Sequence, residues 1–106
     1  MQIQRHGSTC RYSDSVVHNG TVYLVEVPSN LDADITGQTE NLLASIERLL
    51  AQAGSDKSCL LMATIYLADM ADYSAMNAVW DAWLPEGSAP ARACVQARLA
   101  NPEFRV

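Results

Sequence analysis

The chain has 106 residues, 49% of them hydrophobic and 18% charged, with a formal net charge of -5 and a pI near 4.7. This makes one domain that buries roughly two-thirds of the surface its unfolded form would expose, and its acidic balance sets the mean field against phosphate backbones and nonspecific nucleic-acid binding. No apolar run approaches the ~20 residues of a membrane span, "MQIQRHGSTCRYSD" lacks the basic head and apolar middle of a signal peptide, and three cysteines cannot all pair with one another. The reading is a cytoplasmic protein with free thiols.

In chain order, "QIQRH" is a short first strand. Asn19-Gly20, set between "SDSVVH" and "TVYLVEV", predicts a type I′ hairpin of strands 13–18 and 21–27. Pro28 and "SNLDAD" break the sheet, and Asp32 or Asp34 caps the helix that follows. There Ile35, Thr39, Leu42, Leu43, Ile46, Leu49, Leu50 and Ala53 recur at three and four, one apolar stripe ended by Gly54. "CLLMATIYLA", Cys59 to Ala68, reads as a central strand buried on both faces. Asp69 and Asp72 start a second helix with Tyr73, Met76, Trp80, Trp83 and Leu84 inward. "PEGSAPA" is a loop, "NPEF" a turn, and another strand begins as the sequence stops at Val106.

Between those loops lies "PARACVQARL", Pro90 to Leu99. As a strand it sets Arg92, Cys94, Gln96 and Arg98 on one face and Ala93, Val95, Ala97 and Leu99 on the other. That arginine line is either a solvated face or a carboxylate pocket. Two crossover helices on the same side of a sheet leave its other face bare, and an apolar central strand there calls for a second copy of the chain, hence a closed homo-oligomer.

Few residues are arranged for chemistry. Cys10, Cys59 and Cys94 lie far apart, and neither HExxH nor CxxC occurs, so no metal is called for. A glycine-rich phosphate loop and a G-x-S-x-G elbow are both lacking, which leaves no foothold for a nucleotide cofactor or serine hydrolysis. His6 and His18 read as surface residues. Asn77 shares a helix side with Tyr73 and Trp80, where an amide needs a partner: main-chain carbonyls of a neighbouring loop, or a ligand. A cation beside Cys94 would lower its pKa, but without a placed base a strand-packing role is the commoner one.

Several of these stretches together resemble the reactive intermediate deaminase (Rid, YjgF-like) family, in a small bacterial branch of it. "APARACVQARL" is similar to the family's C-terminal arginine signature, "DMADYSAMNAVWDAW" to its second helix with a D-[FY]-x-x-[MV]-N pattern, and "NGTVYLVEVPSNLDAD" to its hairpin and following loop. The resemblance runs in order from about Cys10 to Val106. It implies a single domain over residues 1–106 with a chorismate-mutase-like α+β fold, two helices packed on one face of the sheet. It implies a homotrimer with sheets inward and pockets between subunits.

The implied activity is hydrolysis of enamine and imine intermediates, such as 2-aminoacrylate, to the 2-keto acid and ammonia, without cofactor. Carried over by position, Arg92 is the catalytic carboxylate clamp, Cys94 lines the pocket mainly through its backbone, and Tyr12 and Asn77 are wall or supporting residues. The partners implied are a small carboxylate-bearing substrate and two further copies of the chain, with no nucleic acid or membrane. Leu24, Val25 and Glu26 replace a small, hydroxyl-bearing family stretch, and the family's last strand, with its water-orienting glutamate, falls beyond Val106. The competing readings are a carboxylate-binding trimer without turnover and an endoribonuclease, the latter disfavoured by the net charge of -5.

Overall fold

Asn19 and Gly20 both take positive φ, 51° and 74°, as a two-residue type I′ turn requires. In the computed structural model, which describes residues 2–106, this turn joins β2 (Ser15–His18) to β3 (Thr21–Leu24), with Ser15 opposite Leu24 and His18 opposite Thr21. On the other edge, β1 (Gln4–His6) pairs antiparallel with β2 and places His6 opposite Ser15.

Both hairpin strands are shorter than the expected 13–18 and 21–27, for local reasons. Upstream, Asp14 is still closing the β1–β2 loop, its N–H donating to the His6 carbonyl at 2.9 Å. Gly7 turns that loop at φ +67°, where a Cβ would collide with the Asp14 carboxylate, so only glycine fits. Downstream, the Glu26 carboxylate accepts the Val27 N–H at 3.0 Å, and Pro28 has none to offer a ladder.

The long helix α1 (Ile35–Gln52) begins and ends where its sequence signals fall. Asp34 is the cap, accepting from the Gly37 N–H at 2.8 Å. At the far end Ser55 N–H reaches the Leu50 carbonyl (2.8 Å) and Gly54 N–H the Ala51 carbonyl (3.0 Å), with Gly54 at φ +79°. That pairing is a Schellman motif, which satisfies carbonyls left over at a helix end.

Beyond a short 3₁₀ turn at Lys57–Cys59, β4 (Met62–Leu67) runs parallel to β5 (Ala91–Gln96). The crossover is α2 (Tyr73–Trp83), entered through a second 3₁₀ turn. Asp69 caps that turn by accepting from the Ala71 N–H at 2.9 Å, while Asp72, expected to cap too, makes no such bond. Both helices pack against the same side of the strand pair. Ile35 and Leu43 of α1, Leu67 of β4, and Met76 and Trp80 of α2 form the buried core, joined by Ala63, Ile65 and Cys94. Burial of each large apolar side chain there contributes about 1.5–3 kcal/mol.

The strands form two sheets, in the order β1-β2-β3 and β4-β5, where a single sheet had been expected. β4 is also not buried on both faces. Ala63, Ile65 and Leu67 turn to the helices, whereas Met62, Thr64 and Tyr66 are exposed. Leu61 (75% exposed), Tyr66 (51%) and Val95 are uncovered within one chain. Their apolarity is what made the run read as doubly buried, because hydropathy records that a face avoids water without recording what covers it.

Near the C-terminus no strand forms, but Ala68 N–H donates to the Arg105 carbonyl at 3.1 Å, so the last residues run past the end of β4. Gln38, fully buried on α1, anchors them. Its Nε2 donates to the carbonyls of Leu31, Ala33 and Glu103, and its Oε1 accepts from the Arg105 N–H at 2.8 Å. No helix reaches the length and apolarity needed to cross a membrane among the described residues.

Candidate functional site

The parallel register decides where Arg92 points. It sits opposite Ala63, and Cys94 opposite Ile65, so both side chains lie on the helix side of the strand pair and Ala91, Ala93 and Val95 face outward. The small side chain of Ala63 leaves room beside it for a guanidinium. The alternation seen in the sequence is therefore real, but the arginine face is the one under α2, and it is not a solvated strand face. Arg98 does not share it: β5 ends at Gln96, and Arg98 is exposed in the following loop.

Arg92 lies against two rings of α2. Its Cζ is 5.4 Å from the Trp80 ring centroid and 6.0 Å from that of Tyr73, and its Nη2 is 3.4 Å from the Tyr73 hydroxyl oxygen. Tyr73 and Trp80 are seven residues apart, two helical turns, hence on one face. The guanidinium rests between them. Each stack on an aromatic face contributes about 0.5–2 kcal/mol. Among the described residues the ion pairs are Lys57–Glu47 and Arg105–Asp72, and neither neutralises Arg92.

Cys94 is half-buried two residues along. Burial pushes its thiol pKa above the ordinary value, and the Arg92 charge offsets only part of that rise. The thiolate is thus scarcer at neutral pH than for a free cysteine, which speaks against the nucleophilic reading. Iodoacetamide at pH 7.5 should label the exposed Cys10 and Cys59 first and Cys94 last, with labelling at Cys94 rising as the pH is taken above 9. Peptide mapping that found Cys94 labelled fastest would contradict this.

The other two expected site residues make no hydrogen bond to Arg92, whose side-chain partners among the described residues are Tyr73 and Trp80. Tyr12, 62% exposed, sits in the β1–β2 loop, where its N–H donates to Thr9 Oγ1 and its carbonyl accepts from the Thr9 N–H. Asn77 is half-buried on α2, one turn after Tyr73. The amide is not fully satisfied as expected: its Oδ1 is buried without a partner. His18, read as a surface residue, also has a buried, unpartnered Nε2. Two open hollows lie elsewhere, one of about 680 Å³ around residues 96–104 and one of about 500 Å³ between α1 and α2. Arg92, Cys94, Tyr12 and Asn77 line neither. No cluster of three or more metal-ligating side chains occurs among the described residues.

Tyr73 and Trp80 were legible only as part of an apolar stripe. Their contact with Arg92 depends on the crossover that lays α2 over β5, a relation that no local spacing carries.

A three-stranded antiparallel sheet and a parallel strand pair, backed by two helices, define a small α+β domain of the YjgF type. A crystal structure of a YjgF-family protein from Neisseria meningitidis superposes with a TM-score of 0.94 at 50% identity, covering 99% of this chain and 88% of that one. The family model described as Endoribonuclease L-PSP matches residues 2–106, and the chain belongs to this family. It is 52% identical over 106 residues to the RutC family protein YoaB of Escherichia coli, covering all of this chain and 93% of that protein. Over 70 residues, 66% of this chain and 55% of the relative, it is 39% identical to a 3-aminoacrylate deaminase, RutC, of Acinetobacter baylyi.

Proposed function

We propose that the protein is a deaminase of the reactive-intermediate type, hydrolysing 2-imino acids and their enamine tautomers to 2-keto acids and ammonia. The observation that carries this reading is Arg92, a half-buried guanidinium held on two rings and left without a carboxylate of its own. A cation so placed is suited to an anionic ligand, and its planar fork matches a carboxylate. The naming of a relative as a 3-aminoacrylate deaminase supports the substrate class.

Chemically, little is asked of the protein. 2-Aminoacrylate takes a proton at its methylene carbon to give the imine; water adds to the imine carbon, and the carbinolamine expels ammonia to leave the keto group. A protonated imine is already electrophilic, so fixing the carboxylate and one water in attack geometry supplies the main gain. Cys94, protonated at neutral pH, serves as wall rather than as nucleophile. Net charge -5 favours a small carboxylate met at one local cation over a polyanionic RNA.

The site is completed between subunits of a cytoplasmic homotrimer. The uncovered side chains of Leu61, Met62, Tyr66 and Val95 support such an assembly, and it is the means by which Tyr12 of one subunit reaches Arg92 of another. Light scattering at micromolar concentration is expected to give three times the 11.5 kDa chain mass; a monomer mass would refute the assembly. For the activity, ammonia and keto acid are followed while an amino-acid oxidase generates the imine, with and without the protein. A second reading, carboxylate binding without turnover, draws on the protonated Cys94 thiol, which offers no base beside the clamp. It predicts tight keto-acid binding with no acceleration of ammonia release.

A further inference from the structure

Resting on the reading of Arg92 as carboxylate clamp, we propose that the Tyr73 hydroxyl is a second carboxylate-binding group, and that Trp80 is the positioning residue that fixes the guanidinium beside it. A guanidinium has donors only, so in the 3.4 Å contact the phenol oxygen accepts from Arg92 Nη2. The hydroxyl proton is then directed away from the arginine. Among the described residues that proton has no acceptor, since the contact with Arg92 is the hydroxyl's one hydrogen bond.

Tyr73 is 38% exposed, so the residue carrying that proton is not sealed from solvent beside the cation. An anion held by the remaining Arg92 N–H groups lies within reach of it and gains one further charge-assisted bond. Trp80 makes the arrangement rigid. It is buried, packed in the core cluster, and tilted against Trp83 at 5.7 Å between ring centroids, so the ring on which the guanidinium rests, 5.4 Å from Cζ to centroid, is itself held in place. The ligand class that matches is a small 2-keto or 2-imino carboxylate.

The test uses Trp80 fluorescence, isolated by a Trp83→Phe background in which Trp80 is the remaining one of the two tryptophans. Pyruvate is the probe: it carries the carboxylate and keto groups and is not turned over. Its binding is expected to change Trp80 emission, and Tyr73→Phe, which keeps the ring and loses only the hydroxyl, should raise the Kd about tenfold at unchanged amplitude. Pyruvamide, without the charge, should bind weakly and equally to both proteins. An unchanged pyruvate Kd in Tyr73→Phe overturns the proposal while leaving Arg92 as clamp. Equal weakening for pyruvate and pyruvamide also overturns it, because the loss is then not of an anion contact. Pyruvate binding that persists in Arg92→Ala instead refutes the reading on which the proposal rests.

Discussion

Arg92→Ala should lower imine hydrolysis by about a hundredfold or more, because an unclamped substrate no longer presents its imine carbon to the water in a fixed geometry. Arg92→Lys should recover little of this: an ammonium is a point charge that cannot form two parallel bonds to a carboxylate, nor reach both the Tyr73 and Trp80 rings as the guanidinium does. Arg98→Ala is the internal control. It has the same charge change, six residues on, but the side chain is exposed in the loop after β5 and faces neither ring. Removing Arg92 leaves two partly covered rings, so its melting temperature should move by a few degrees at most and the activity loss can be read as chemistry. Equal activity in the three variants would show that this arginine is only packing.

Gln38→Ala is the substitution expected to cost the most stability for the least change in size. It removes a buried amide that holds three carbonyls and one N–H in two segments distant in sequence, the stretch before α1 and the last residues. Those groups are left without protein partners, at a cost on the order of 3 kcal/mol. For a domain of this size that is a fall in melting temperature of about 10 °C or more. Gln38→Met separates the causes, since it refills the volume without restoring a bond; a Met variant as stable as the parent would show that the hydrogen bonds contribute nothing.

Much of the local structure was legible because its signals are themselves local. Asn19-Gly20 marks its turn, Asp34 and Gly54 bound α1 at the expected ends, and the three-and-four spacing of Ile35, Leu43 and Leu50 selects the buried face. The alternation around Arg92 was also legible, as was the family to which such a stretch belongs. Strand lengths were less so: nothing in "TVYLVEV" announces that the Glu26 side chain takes the Val27 N–H and ends the ladder at Leu24.

What the sequence by itself determined is therefore the set of elements, their caps and their periodic faces, all of which depend on residues within about two helical turns of one another. Only the tertiary structure decided which face of β5 is covered, that Tyr73 and Trp80 flank Arg92, and that Gln38 binds the C-terminal segment. Those contacts span 12 to 67 positions along the chain. Periodicity states that a side chain is turned from water, whereas its partner is chosen by crossover handedness and strand register, which act on the whole chain at once.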